Sequence, residues 1–211
     1  MLKSLKSLLV CLAFLPLAAC AQDDAPYTEG EDYQLLAKPV ATMSGDKIEV
    51  VELFWYGCPH CYALEPYVED WQKTIPADVN FVRMPGVMAK SWQNHGRAYY
   101  TAAVLGIVDK THRPLFDAIH RGGKSLNTQE ELADFFADYG VDENKFNATF
   151  NSFTVNGLIA KAQAKQYEYR ATGVPTLIVN GKYMVATTMN SGTRGLFDVV
   201  NYLIEKERNG S

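Results

Sequence analysis

Two strand-like runs, separated by one helical stripe, open the patterned part of the chain. From Lys47 to Phe54 (KIEVVELF) the residues are β-branched and almost continuously apolar, as suits a strand buried on both faces. Gly57 breaks the run, and Pro59 stands where the first position of a helix would be. Leu64, Val68 and Trp71 continue an apolar stripe at helical spacing; Pro66 within it predicts a kink rather than an end. Val79 to Met84 (VNFVRM) predicts a second strand, closed by Pro85-Gly86. Strand, helix, strand in that order implies a right-handed crossover and a parallel pair.

From about Ser91 to Tyr169 the periodicity is helical throughout. Thr128 to Glu131 is a capping-box pattern, followed by Leu132, Phe135, Phe136 and Tyr139 at helical spacing and by Gly140 as a stop. Asp142 opens a short helix carrying Phe146 and Phe150. Val155, Leu158, Ile159, Ala162, Gln166 and Tyr169 outline a longer one. Strand character then returns: Thr176 to Val179 and Lys182 to Val185 flank Asn180-Gly181, a strong hairpin signal. A last amphipathic helix carries Leu196, Val199, Val200, Leu203 and Ile204 on one face. The expected organisation is an α/β domain formed by residues 21–88 and 170–211, with an all-helical insertion at 89–169. Asp23 to Tyr33, acidic and turn-rich, reads as a loose lead-in, and no internal repeat is visible.

The first 20 residues do not belong to this pattern. Lys3 and Lys6 precede an apolar run from Leu8 to Ala19 and then small residues, the arrangement of a secretory signal sequence. The run is short of the roughly 20 apolar residues that span a bilayer. Two processing readings stay open: an ordinary signal-peptidase site at Ala19-Cys20-Ala21, or a lipobox at Leu17-Ala18-Ala19-Cys20 in which Cys20 becomes the acylated first residue. Both send the protein out of the cytoplasm, where disulfides persist. A composition of 47% hydrophobic and 21% charged residues is that of a globular chain. The net charge of -4 leaves no broad basic face, which argues against nucleic acid as a partner.

Export sharpens the cysteine count. Of Cys11, Cys20, Cys58 and Cys61, the first leaves with the signal and the second leaves or is acylated, so Cys58 and Cys61 remain as the thiols. The motif Cys58-Pro59-His60-Cys61 has three readings: half a zinc site, a small structural staple, or a redox pair. So small a loop contributes little as a staple, and none of the distant histidines has zinc-finger spacing. The redox reading also fits a pair placed at a helix start just after a buried strand. There Cys58 faces unpaired amides and the positive end of the helix dipole, both of which stabilise a thiolate. His60 adds a cation when protonated, and Pro59 stiffens the turn. Cys58 is therefore expected to be the exposed, attacking thiol and Cys61 the buried, resolving one. Whatever stabilises the thiolate favours the reduced protein and makes the disulfide the stronger oxidant. A pKa lowered from about 8.5 to about 4 would give roughly 4 kcal/mol at pH 7, or about 85 mV.

Phe54 to Tyr62 (FWYGCPHCY) closely resembles the active-site stretch of the DsbA family of periplasmic disulfide oxidants. Gly173-Val174-Pro175-Thr176 resembles that family's loop before the hairpin, and Val179 to Tyr183 (VNGKY) resembles the hairpin itself. The Pro-His pair between the cysteines is highly specific to the family. The resemblance implies a thioredoxin fold with an inserted helical domain and net oxidase activity toward reduced, unfolded exported polypeptides. It also implies a protein without a cofactor, reoxidised by a quinone-linked membrane oxidase of the DsbB type. By the same resemblance Val174-Pro175 would be a cis peptide packed against the disulfide, with the Val174 backbone free to pair with an extended substrate strand.

Glu52, within an otherwise apolar strand, has two readings. At a strand end it stays solvated; buried, it matches the family's acid that accepts and returns a proton as Cys61 attacks a mixed disulfide. Arg83 is a possible partner for it, though strand alternation alone does not establish the contact. Phe54, Trp55 and Tyr56 have two readings, the border of a substrate groove or, first, core; His95, His112 and His120 read as surface or capping residues. Among rival activities, an isomerase would add a dimerisation domain ahead of the redox domain. Only about 40 residues separate the processing site from Cys58, too few for one. A reductant would favour another dipeptide and need an electron supply outside the cytoplasm, and a plain peptide-binding module leaves the motif unexplained. The expectation is a monomeric oxidase of the periplasm, soluble or anchored through Cys20.

Overall fold

The structure, a computed structural model, describes residues 25–189 and 192–210. The expected signal sequence, both processing sites and Cys20 lie outside the described residues.

Five strands form one mixed sheet: β1 (Gln34–Leu35), β2 (Ile48–Phe54), β3 (Val79–Pro85), β4 (Thr176–Val179) and β5 (Tyr183–Ala186), in the order β1-β5-β4-β2-β3. β2 pairs parallel with β3 and antiparallel with β4, so it is flanked on both edges. Helices cover both of its faces, and every residue from Glu49 to Phe54 is buried. That is why its sequence lacks a polar alternation. The crossover between β2 and β3 is α1 (Pro59–Gln72), which runs through Pro66.

The two faces have different partners. Val50, Leu177, Val179 and Val185 meet Leu64 and Val68 of α1 and the stripe Leu196, Val199, Val200, Leu203 and Ile204 of α7 (Gly192–Arg208). Each such side chain contributes about 1.5–3 kcal/mol by leaving water. Val51, Leu53 and Ile178 meet Val155, Ile159, Ala162 and Tyr169 of α6 (Phe153–Tyr169) on the other face. The remaining helices are α2 (Gln93–Leu105), α3 (Val108–His120), α4 (Gln129–Ala137) and α5 (Glu143–Phe150). They enclose a third core of Leu115, Phe116, Leu132, Phe136 and Phe146, and into it run Phe54, Tyr56 and both cysteines. The helical block is thus continuous with the end of β2.

Two local expectations need correction. The lead-in is not loose where it is described: Tyr33 is buried against Tyr183 and Tyr202, and Gln34–Leu35 adds an edge strand to β5. The hairpin register also sits one residue beyond a two-residue loop, with Val179 opposite Tyr183. Asn180 and Gly181 both have positive φ, 48° and 62°, and the Lys182 amide closes the turn on the Val179 carbonyl. Gly181 is also where the hairpin is tied to the segment between β1 and β2, since the Val40 amide donates to its carbonyl at 2.8 Å. A Cβ there would stand 1.9 Å from the Val40 carbonyl oxygen. Gly181→Ala should therefore cost about 2–4 kcal/mol, through backbone strain plus the displaced loop. Denaturant unfolding checks this, and a loss below about 0.5 kcal/mol would contradict the assigned turn.

Candidate active site

The end of β2 passes through Trp55-Tyr56-Gly57 into α1. Gly57 has no Cβ because the Trp55 ring occupies its space, 2.3 Å from where one would stand. That ring stacks on Trp92 at 4.4 Å and 8°. The Cys58 amide donates to the Trp55 carbonyl at 2.9 Å, which turns the chain so that Cys58 becomes the N-cap of α1. Its sulfur accepts from the Cys61 amide at 3.4 Å. Cys58, expected to be exposed, is itself buried at 7% exposure, though less completely than Cys61. Both are thiols in the structure.

These positions separate the two acidities. The Cys58 pKa falls from 9.0 to about 6. The hydrogen bond from the Cys61 thiol is the largest cause, followed by the Cys61 and His60 amides at the helix start. Burial opposes them, and the exposed His60 ring makes the smallest of these contributions. The placement at a helix terminus, the first influence expected from the sequence, thus matters more than the His60 ring. For Cys61, burial and the neighbouring Cys58 push the thiol far above the usual range. At pH 7 Cys58 is largely thiolate and Cys61 a thiol.

Across from the pair lies the loop before β4. The Val174-Pro175 peptide is cis. The Val174 carbonyl oxygen lies 3.5 Å from the Cys58 sulfur, which donates to it as a thiol. Pro175 is buried and Val174 half-buried.

Behind Cys61 is an enclosed charge cluster. Glu52 is fully buried, and Arg83, its partner in the β2–β3 register, brings Nε to 3.3 Å from Glu52 Oε2. Arg83 also reaches Glu65 of α1, with 3.2 Å between its terminal nitrogen and Oε2. Two buried carboxylates therefore face one guanidinium. Burial, then the Glu65 charge, push Glu52 up to about 8 against the pull of Arg83. Burial acts on Glu65 as well, but a hydrogen bond from His112, the charge of that ring when protonated, and the charge of Arg83 outweigh it and hold Glu65 below the ordinary range. The cluster is neutral when Arg83 and Glu65 are charged and Glu52 keeps its proton.

Several members of this site were not found from sequence, and the reading of His95 and His112 as surface or capping residues was wrong. His95 and His112 are buried, not on the surface. His95 Nε2 bonds to the Leu126 carbonyl at 3.0 Å. His112 joins Glu65 to the Tyr56 hydroxyl. His120 is half-buried, stacks on Tyr62 and bonds to the Tyr56 carbonyl at 2.8 Å. A usable signal existed: His112, Phe116 and His120 recur at four-residue spacing, and Glu65 follows Cys61 by one turn on the same helix face.

A family model for the DSBA-like thioredoxin domain matches residues 77–203. The thiol:disulfide interchange protein DsbA of Pseudomonas aeruginosa is 45% identical over 204 residues, covering 97% of this chain and 95% of that protein. The chain belongs to the DsbA family. The DsbA of Burkholderia cepacia is 36% identical, over 98% of this chain and 97% of its own. Among solved structures, Pseudomonas aeruginosa DsbA superposes with a TM-score of 0.84 at 46% identity, covering 88% of this chain and 96% of that one. The oxidoreductase DsbA from Xylella fastidiosa does so with 0.81 at 35% identity, covering 87% and 98%. The expected thioredoxin fold with inserted helices is therefore the observed one, and the chain is a thiol:disulfide oxidoreductase. Among its described residues no helix is long and apolar enough to cross a membrane.

Proposed function

We propose that this protein oxidises reduced, unfolded polypeptides in the periplasm through the Cys58–Cys61 disulfide, with distinct roles for the surrounding residues. A client thiolate attacks the Cys58 sulfur, the Cys58–Cys61 bond breaks, and Cys61 leaves and takes up a proton. A second client thiolate then attacks the client sulfur of the mixed disulfide, releasing an oxidised client and the Cys58 thiolate. The low Cys58 pKa carries this reading, because a good leaving thiolate speeds that release. Glu52 supplies the proton to Cys61 and takes it back when Cys61 attacks a mixed disulfide during reoxidation. The Val174 backbone aligns the client strand beside Pro175, and Pro59 and His60 tune the pair. The proposed reoxidant is a quinone-linked membrane oxidase of the DsbB type, met by a monomer that is free or tethered through Cys20.

The test is equilibration of the Cys58/Cys61 pair with glutathione buffers, beside the melting of the reduced and oxidised protein. With a pKa of about 6, Cys58 ionisation favours the reduced form at pH 7 by at most about 1.4 kcal/mol, or about 30 mV, before solvent screening. That is less than the sequence argument allowed at a pKa of about 4. A depressed thiol pKa stabilises the reduced fold fully above pH 9, and the benefit is lost as pH falls through 6. The reduced protein should therefore melt above the oxidised one, by a margin that widens from pH 6 to pH 9. A margin that is flat or reversed contradicts the proposed direction of electron flow.

A further inference from the structure

The described charge cluster includes one member that belongs to the helical block. His112, on α3, bonds through Nε2 to Glu65 Oε1 at 3.2 Å and through Nδ1 to the Tyr56 hydroxyl at 2.9 Å. Its ring is held edge-on by Phe54 at 5.0 Å, Phe116 at 5.3 Å and Tyr99 at 5.9 Å, so it has little freedom to turn.

The direction of both hydrogen bonds follows from the partners. An ionised carboxylate only accepts, so Nε2 carries the ring proton and donates it to Glu65. Burial holds His112 below its ordinary pKa, so the ring is neutral at pH 7 and Nδ1 has a free lone pair. The Tyr56 hydroxyl, kept protonated by its own burial, must therefore donate to Nδ1. Tyr56 thus selects the tautomer that His112 presents to Glu65.

The same wiring separates the two acids. Glu65 receives His112 on one oxygen and Arg83 on the other. Neither Glu52 oxygen has an aligned hydrogen-bond donor among the described residues, although Arg83 lies within ion-pair distance. Two carboxylates sharing one cation titrate together, and the one with more donors keeps the charge. We propose that His112 is a positioning residue, which assigns the negative charge of the pair to Glu65 and so leaves Glu52 protonated for exchange at Cys61. The inference rests on the role given to Glu52 above. The other charged or titratable groups facing His112 are Glu69 on α1, Arg83 on β3 and Tyr99 on α2; Glu69 is engaged by Arg113. Glu52 faces Glu65, Arg83, Tyr56, Tyr99 and Cys61; Tyr56 stays uncharged across the range followed.

The experiment follows the side-chain carboxyl carbons of Glu52 and Glu65 by carbon NMR across pH, in the full reduced protein. Glu52→Gln and Glu65→Gln assign the two signals. His112→Phe removes the donor while keeping a planar ring; Tyr56→Phe removes one oxygen; His112→Gln offers an amide N–H toward Glu65. The Glu52 midpoint should fall by about one pH unit or more in His112→Phe, a tenfold loss of proton affinity. It should fall by less, in the same direction, in Tyr56→Phe, and return most of the way in His112→Gln. The pH profile of Cys61-dependent resolution should move with it. Should His112→Phe fail to fold, Tyr56→Phe decides alone. An unmoved Glu52 midpoint in the folded variants overturns the inference while leaving the role of Glu52 standing. If Glu52→Gln leaves the resolution profile unchanged, that role falls and the inference falls with it.

Discussion

Cys58→Ser should abolish disulfide transfer, whereas Cys61→Ser, with no disulfide to donate, should attack a disulfide-containing peptide through Cys58 and remain bonded to it. The two thiols are three residues apart, yet they are not interchangeable. Cys58 sits at the mouth of α1 with its pKa at about 6, whereas an ordinary thiol near 9.0 would be about 1% ionised at pH 7. Cys61 is fully buried and held protonated, so it cannot take over the attack. Loss of Cys58 should lower oxidation of a dithiol peptide to background, a drop on the order of a thousandfold or more. Loss of Cys61 leaves one reactive thiol that enters a mixed disulfide with any oxidised partner and has no internal route out. Intact-mass measurement after mixing with a disulfide-containing peptide reads both outcomes. Stable adducts on Cys61 in the Cys58→Ser protein would reverse the assignment.

A second large effect is expected at Glu52. Glu52→Gln keeps the shape of the side chain and removes its exchangeable proton. Resolution of a preformed Cys58 mixed disulfide by Cys61 should slow about a hundredfold, the lower range for loss of a positioned acid–base group. The same change should stabilise the fold, and the sign follows from the shift. The folded pKa of Glu52 is raised to about 8, so between pH 4.5 and 8 the unfolded chain ionises this acid while the folded one does not. Wild type pays this penalty increasingly as pH rises, and glutamine does not. At pH 7 the variant should be more stable by about 2–3 kcal/mol, with no difference near pH 4. Slower resolution together with a pH-dependent gain in stability is a signature that loss of packing would not produce. Unchanged resolution would remove Glu52 from the proton path.

The local patterns explain why so much of the frame was legible. β2 reads as buried because α1 and α7 cover one of its faces and α6 the other, so no alternation survives in IEVVELF. Thr128 and Glu131 form both halves of a capping box, and Asp142 caps the next helix, because these bonds close within three residues. Gly57-Cys58-Pro59 signals a helix start for the same reason: the thiol, the amides that bind it and the proline at the first position are all neighbours in sequence. The edge strand Gln34–Leu35 gave no such sign, since two polar-to-apolar residues become a strand only when β5 is beside them.

The sequence by itself determined the thioredoxin-type frame and the placement of Cys58-Pro59-His60-Cys61 at a helix start, because each depends on contacts along a few consecutive residues. Only the tertiary structure decided which groups share a dielectric with Cys61. Glu52, Glu65, Arg83, His112 and Tyr56 come from two strands, two helices and a turn, and they meet because the helical block closes over the end of β2. A histidine on a helix looks like a surface residue until a neighbour 47 positions away turns it into the donor for a buried carboxylate. Charge placement in a core depends on distance in space, which sequence spacing does not encode.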